Sequence, residues 1–76
     1  MHLDILTPDR SLFSGEVDSV TVPGSKGRFQ ILKKHAALVS SLEKGKVNVK
    51  TEGREEIFEI SGGVIEVLND KVVILA

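Results

Sequence analysis

The sequence contains no cysteine, tryptophan or tyrosine, and only three phenylalanines and two prolines among 76 residues. Without cysteine, the chain can form neither disulfides nor thiolate metal sites. Because aromatic side chains are so few, a core must be built from valine, isoleucine and leucine. No apolar run approaches the roughly 20 residues of a membrane helix, and Met1–Asp4 lacks the basic start of a signal peptide. We therefore expect a soluble intracellular protein.

Length and charge further restrict the kind of protein that this sequence can encode. A chain of 76 residues lies near the lower limit for one self-sufficient hydrophobic core, so residues 1–76 are predicted to form a single domain. Hydrophobic residues at 41% and charged residues at 28% are typical of folded soluble domains. The net charge of −1 gives no overall attraction to nucleic acids or membrane surfaces.

Apolar alternation predicts a β protein. Lys46–Thr51 alternates strictly between apolar and polar residues, and Arg28–Ile31 does the same. Glycines recur between such runs at the spacing typical of small antiparallel sandwiches, and Lys44-Gly45 and Glu52-Gly53 are expected to be hairpin corners. The fold class is therefore all-β, a small flattened sandwich or barrel of about 8–10 short, mostly antiparallel strands. The predicted strands cover residues 2–7, 11–22, 28–32, 38–43, 46–52, 55–61, 63–68 and 71–75.

The segment His35–Glu43 fits two structures. Its alanines and the spacing of Val39 and Leu42 suit a short helix. Leu38, Ser40 and Leu42 alternate as in a strand. Because only about one helical turn would fit before the next glycine, an isolated helix would be weak and a strand is favoured.

The last two predicted strands are apolar on both faces. Val64–Leu68 and Lys71–Ala76 each offer apolar residues at successive positions. In so small a sheet, one face packs on the core and the other needs a cover. Neighbouring strands could supply that cover, or a partner protein or helices following Ala76 could lie there.

The middle of the chain is locally basic, because no acidic residue occurs between Asp18 and Glu43. This basic lobe could contact an acidic protein or phospholipid headgroups, or it could simply be solvated. It is a poor nucleic-acid site, because aromatic stacking platforms are missing. The lobe consists of Lys26, Arg28, Lys33 and Lys34.

No catalytic, cofactor-binding or metal-binding constellation is recognisable. His2 and His35 are the only imidazoles and lack metal-ligand spacing. The segment Gly24–Gly27 is too short for a phosphate-binding loop. Ser61 lacks the glycine spacing of a nucleophile elbow and is expected to be a turn serine. The chain is therefore predicted not to be an enzyme and to need no cofactor.

Ordered motifs run along nearly the whole chain, and together they resemble the N-terminal β-sandwich domain of the ε subunit of F-type ATP synthases, which is called δ in mitochondria. The motifs are Leu3-x-Ile5-x-Thr7-Pro8-Asp9, Phe13-Ser14-Gly15, Val17-x-x-Val20-x-Val22-Pro23-Gly24, Gly27-x-Phe29-x-Ile31-Leu32-x-x-His35-Ala36-x-Leu38, Gly45-x-Val47 and Ser61-Gly62-Gly63-x-x-Glu66-Val67.

The resemblance implies a non-catalytic part of the central stalk. Such a domain holds subunit γ and sits on the loops of the membrane c-ring, within an F1 assembly of α, β, γ, δ and ε subunits. Rotation driven by proton flow would thus be coupled to ATP synthesis at the cytoplasmic face of a bacterial inner membrane. By position, the c-ring contacts would be Gly24, Ser25, Lys26, Gly27 and Arg28, and the γ contacts would be Thr7, His35, Leu38, Ser40 and Leu42.

The sequence departs from the family in three respects. Lys26 and Arg28 stand where some members carry acidic residues, so the ring would have to offer acidic or carbonyl acceptors. Ala37 replaces a proline common in the family. The C-terminal helical hairpin that the resemblance implies for full-length members is not among residues 1–76. A competing hypothesis is a small β-barrel that binds nucleic acid or carbohydrate through its basic lobe.

Overall fold

The computed structural model describes residues 1–76, which form nine β-strands and no helix. No element of the chain has the helical length and apolarity that crossing a bilayer requires. The strands are β1 His2–Leu6, β2 Ser11–Glu16, β3 Ser19–Gly24, β4 Gly27–Leu32, β5 Leu38–Leu42, β6 Gly45–Thr51, β7 Arg54–Ile60, β8 Gly63–Leu68 and β9 Lys71–Leu75.

The strands form two wings of one curled sheet. Wing one has the order β2-β1-β9-β8-β5, and wing two consists of β3, β6 and β7 with β4 on the other side of β3. A single bridge between Gly24 of β3 and Leu42 of β5 joins the wings. All strand pairs are antiparallel except β1 with β9, which run parallel with Leu3 opposite Val72. The wings fold over one another as a flattened sandwich, which confirms the predicted fold class.

Branched aliphatic side chains from both wings fill the space between them, as expected from the shortage of aromatics. Alternation sets which residues point inward: Val47 and Val49 are buried, whereas their neighbours Lys46 and Lys50 are exposed. The buried hydrophobic residues are Met1, Leu3, Ile5, Val17, Val20, Val22, Ile31, Leu42, Val47, Val49, Ile60, Ile65, Val67, Val72 and Ile74.

The prediction of one strand over residues 11–22 is wrong, because the chain changes wings in the middle of that segment. The Val17 N–H donates to the Met1 carbonyl in wing one, at 2.8 Å. The next residue, Asp18, donates its N–H to the Lys50 carbonyl in wing two, also at 2.8 Å. The apolar alternation shifts by one residue at this crossing, from Val17 to Val20 and Val22, a change that the single-strand prediction overlooked.

Of the two predicted hairpin corners, one is confirmed and the other is wrong. Glu52-Gly53 is a two-residue hairpin turn with positive φ at both residues, 49° and 78°, as a type I′ turn requires. Lys44-Gly45 is not a hairpin corner, because β5 pairs with β8 whereas β6 pairs with β3 and β7. The segment His35–Glu43 contains strand β5 and no helix, which confirms the favoured alternative.

Candidate interaction surfaces

The hairpin between β3 and β4 forms one exposed tip of the molecule. Ser25 anchors it to β5: the Ser25 N–H donates to the Ser41 carbonyl at 3.1 Å, and the two hydroxyl oxygens lie 2.8 Å apart. A Cβ on Gly24 would lie 2.6 Å from the Phe29 ring, so glycine is needed there. Lys26 is exposed and forms no ion pair. The tip therefore presents a cation on an anchored loop.

Arg28, the second cation of this loop, is already engaged. Its guanidinium lies over the outer face of wing two and donates to the Lys46 carbonyl and to Oδ1 of Asn48, both at 2.7 Å. The Asn48 amide donates in turn to Glu55 at 3.3 Å. Arg28 thus links β4 to β6 across β3, and Lys26 is the uncommitted positive charge of the hairpin.

The two predicted contact sets meet in one groove of about 430 Å³ beside the hairpin tip. Leu38 and Ser40, predicted to face γ, line this groove together with the loop predicted to face the c-ring. Both are half-buried on the inner side of β5. Leu42 points the same way and is only 6% exposed, because it packs in the core between the wings.

Thr7 and His35, the other two predicted γ contacts, lie at opposite ends of wing one. Thr7 closes the β1–β2 turn: its hydroxyl oxygen accepts the Arg10 N–H at 3.1 Å. His35 lies in the exposed β4–β5 loop, where its N–H donates to the Leu32 carbonyl. Its ring Nδ1 lies 2.8 Å from the Ala36 carbonyl oxygen. The structure therefore does not gather the five predicted γ contacts into one cluster.

The outer face of wing one carries exposed apolar side chains that no other part of the chain covers, and they surround Glu66, which stands opposite Val39. We call Val39, Val64, Leu68 and Leu75 the outer apolar face. Val39 is 68% exposed and Leu75 is 55% exposed. Pairing of β8 with β9 sets Val64 beside Leu75. Of the two alternatives for the doubly apolar strands, cover by neighbouring strands does not occur at these positions.

Sequence reasoning missed Val39, although the strand containing it was predicted. Leu38, Ser40 and Leu42 do share one face, as their spacing indicates, but that face is the core side. Two leucines on one side of a strand are the signal for a core face, and that signal would have placed Val39 outside.

Asp70 ties two loops of wing one together. Its carboxylate accepts the Lys34 backbone N–H at 3.4 Å, and the Met1 ammonium group lies 3.4 Å from its other oxygen. The hydrogen bond from the Lys34 N–H is the main interaction that holds the pKa of Asp70 below its ordinary value. The positive charge of the Met1 ammonium group lowers this pKa further. The fold therefore stabilises the ionised carboxylate.

A lowered carboxyl pKa makes stability depend on pH in one direction. The contribution of Asp70 to stability is present above its unfolded pKa of about 3.8 and is lost as pH falls through the lower folded pKa. We expect Asp70→Asn to lower the urea midpoint at pH 7 and to reduce the fall in midpoint between pH 7 and pH 3. The control is Asp9→Asn, because the Asp9 carboxylate is exposed and forms no ion pair. Equal pH dependence in Asp70→Asn and the parent chain would contradict the prediction.

Comparison with known proteins agrees with this geometry. A family model described as ATP synthase, Delta/Epsilon chain, beta-sandwich domain matches residues 1–76. The chain belongs to this family, which confirms the resemblance seen in the sequence.

Several relatives are similar over nearly the whole chain. The ATP synthase epsilon chain of Chlorobaculum tepidum is 47% identical over 74 residues, which cover 96% of this chain and 84% of the relative. The epsilon chain of Caulobacter vibrioides is 42% identical over 76 residues, covering 100% of this chain and 88% of the relative. The match to the Campylobacter jejuni epsilon chain, at 44% identity, covers 60% of that longer protein.

Two solved structures share the fold. A chain of the Euglena gracilis mitochondrial ATP synthase, in a structure of OSCP, F1 and c-ring, matches with a TM-score of 0.91 at 27% identity and covers 97% of this chain. A chain of the Tetrahymena thermophila central stalk and c-ring structure matches with a TM-score of 0.84 at 16% identity, again over 97% of this chain. The chain spans 48% and 60% of these two solved chains.

Proposed function

We propose that this chain is a non-catalytic central-stalk subunit of the F1 sector of a proton-translocating F-type ATP synthase. It links subunit γ to the c-ring, so that rotation driven by proton flow is coupled to ATP synthesis. The observation that carries the proposal is family membership over residues 1–76. The relative solved within an F1 and c-ring assembly supports it.

Two chemically different surfaces suit a linking role. The hairpin tip offers Lys26 on a loop anchored to β5, and it is proposed to contact polar c-ring loops that offer carboxylate or carbonyl oxygens. The outer apolar face, with Val39 at its β5 end, is proposed to pack against γ near His35. Leu42 would support this interface from inside the core, because its side chain is buried.

The catalysis of ATP synthesis would take place in other subunits. No group of three histidine, cysteine or carboxylate side chains could hold a metal ion. Residues 1–76 would act as one ε-type domain among the α, β, γ and δ subunits. They would lie peripherally at the cytoplasmic face of a bacterial inner membrane and meet the membrane only through the c-ring.

The test is co-purification with the cognate γ subunit, using Val39→Asp as the variant. A carboxylate buried in an apolar interface is costly, so we expect about tenfold weaker binding or worse. The matched control is Ile57→Asp, because Ile57 is 52% exposed on the outer face of wing two, away from the proposed interface. Binding of both variants and parent should be compared by titration calorimetry.

Three results would count against the proposal. These are the absence of a γ complex, an equal loss of γ binding in the two variants, and tight binding of single-stranded oligonucleotides at about 150 mM salt. The last would favour the competing binding-module hypothesis. Against that hypothesis, Phe13, Phe29 and Phe58 are half-buried against the core and leave no exposed stacking platform.

A further inference from the structure

The backbone of β3 divides its hydrogen bonds between two neighbours in strict alternation. The Pro23 carbonyl accepts the Glu43 N–H at 2.8 Å, and the Ser25 N–H donates to the Ser41 carbonyl. Odd-numbered residues of β3 therefore direct their backbone groups toward β5 and β6, and even-numbered residues direct theirs toward β4. Val22, an even-numbered residue, stands opposite Phe29 of β4.

This alternation leaves one edge of β4 unpaired. Because Phe29 and Ile31 bond to β3, the backbone groups of Arg28, Gln30 and Leu32 point away from it. β4 pairs with no other strand. The Leu32 carbonyl accepts the His35 N–H, and no other strand lies beside the remaining N–H and C=O groups of these three residues. Wing two therefore ends in an open strand edge.

The other free edge of wing two is protected by charge. At the free edge of β7, the residues whose backbone groups point away from β6 are Glu55, Ile57 and Glu59. The two carboxylates on this edge discourage pairing with another strand. On β4, by contrast, the Arg28 guanidinium lies away from the free edge, because it donates a hydrogen bond to Asn48. The side chains left at the β4 edge are uncharged Gln30 and Leu32, and Leu32 is 53% exposed.

Positive charge marks both ends of the open β4 edge. Lys26 lies in the turn before the strand, and Lys33 and Lys34 follow directly after it. None of these lysines forms an ion pair in the chain. An incoming strand of matching length would therefore meet uncharged residues at its centre and ammonium groups at its ends.

We propose that the free edge of β4 binds an extended segment of a protein partner by strand addition. The segment is uncharged at its centre and carries carboxylates at both ends. Main-chain hydrogen bonds to residues 28, 30 and 32 supply affinity, and the flanking lysines set the register. Together with the proposed function, on which this step rests, this makes the partner the γ subunit.

Amide hydrogen exchange of the full chain tests the inference. In the free chain, the amides of Arg28, Gln30 and Leu32 should exchange fast, and those of Phe29 and Ile31 should be protected by β3. In the γ complex, the three fast amides should slow at least about tenfold, which removes the odd–even contrast. A complex in which they stay fast overturns the inference and leaves the proposed function intact.

Proline variants provide matched controls at the two free edges. Gln30→Pro removes an outward N–H without breaking the β3–β4 ladder, and we expect about tenfold weaker binding of the γ subunit. Ile57→Pro makes the same change at the centre of the β7 edge and should bind γ within about twofold of the parent. Equal binding by both variants would overturn the inference.

A peptide probe separates the edge inference from the stalk assignment. If no γ complex forms, the proposed function fails, and the peptide acetyl-Glu-Val-Thr-Val-Glu-amide then tests the edge alone. It should shift the amide resonances of residues 28, 30 and 32, whereas the same peptide with lysine at both ends should not. Shifts from neither peptide overturn the inference. Concentration-dependent protection of these amides in the chain alone overturns it too, because the occupant would then be the acidic β7 edge of a second copy.

Discussion

Replacing Gly63 with alanine is expected to destabilise the protein more than alanine at any other glycine of the chain. Gly63 has φ of 135°. An added Cβ would press against the Leu75 carbonyl oxygen of β9 and lie 3.0 Å from the Ala76 Cα. Because both contacts are to backbone, no side-chain rotation can relieve them. We expect a loss of about 4 kcal/mol, the upper range for a point mutation.

Chemical denaturation of Gly63→Ala and Gly53→Ala measures this effect against a matched control. Gly53 also has a positive φ, of 78°, but a Cβ there would meet nothing within 4 Å. Alanine at Gly53 therefore costs only the left-handed backbone strain, about 1 kcal/mol. Similar losses in the two variants would show that the close approach of β8 to the end of β9 is not what requires glycine.

Truncating Ile74 should have the second largest effect. Ile74 is fully buried in β9, where it stands between Ile65 of β8 and Ile5 of β1. Strands flank it on both sides, so a cavity at this position cannot collapse easily. We expect Ile74→Ala to lower the free energy of unfolding by about 3 kcal/mol. That is a large part of the roughly 5–15 kcal/mol that stabilises a typical domain.

The neighbouring residue gives the control for Ile74. Leu75 points to the opposite face of β9 and is 55% exposed, so Leu75→Ala should change stability by no more than about 0.5 kcal/mol. Thermal and urea unfolding of both variants would measure the contrast. Comparable losses would mean that the outer apolar face is covered in the isolated chain.

Much of the architecture was predictable from alternation and turn chemistry. Strict alternation in Lys46–Thr51 identified a half-buried strand, and Glu52-Gly53 supplied the positive φ of a two-residue turn. What alternation cannot show is which strands pair. The change of wings at Val17–Asp18 was also missed, although the alternation shifts by one residue between Val17 and Val20.

The candidate surfaces were only partly predictable, for a related reason. The face of β5 that carries Leu38 was identified as one side of a strand, but its orientation depends on distant partners in β8. The engagement of Arg28 likewise depends on Asn48, which lies 20 residues away in sequence. Contacts over such separations leave no local pattern, so sequence reasoning counted Arg28 as a free charge.

The parallel pairing of β1 with β9 has a consequence for protein synthesis. Residues 2–6 cannot join the rest of wing one until residues 71–75 are available, because β9 lies between β1 and β8. A nascent chain that has not released residue 75 from the ribosome cannot assemble the centre of wing one, and Leu3, Ile5 and Ile65 stay exposed until then. Such distant pairing slows folding. The chain is thus expected to fold only after β9 has been translated.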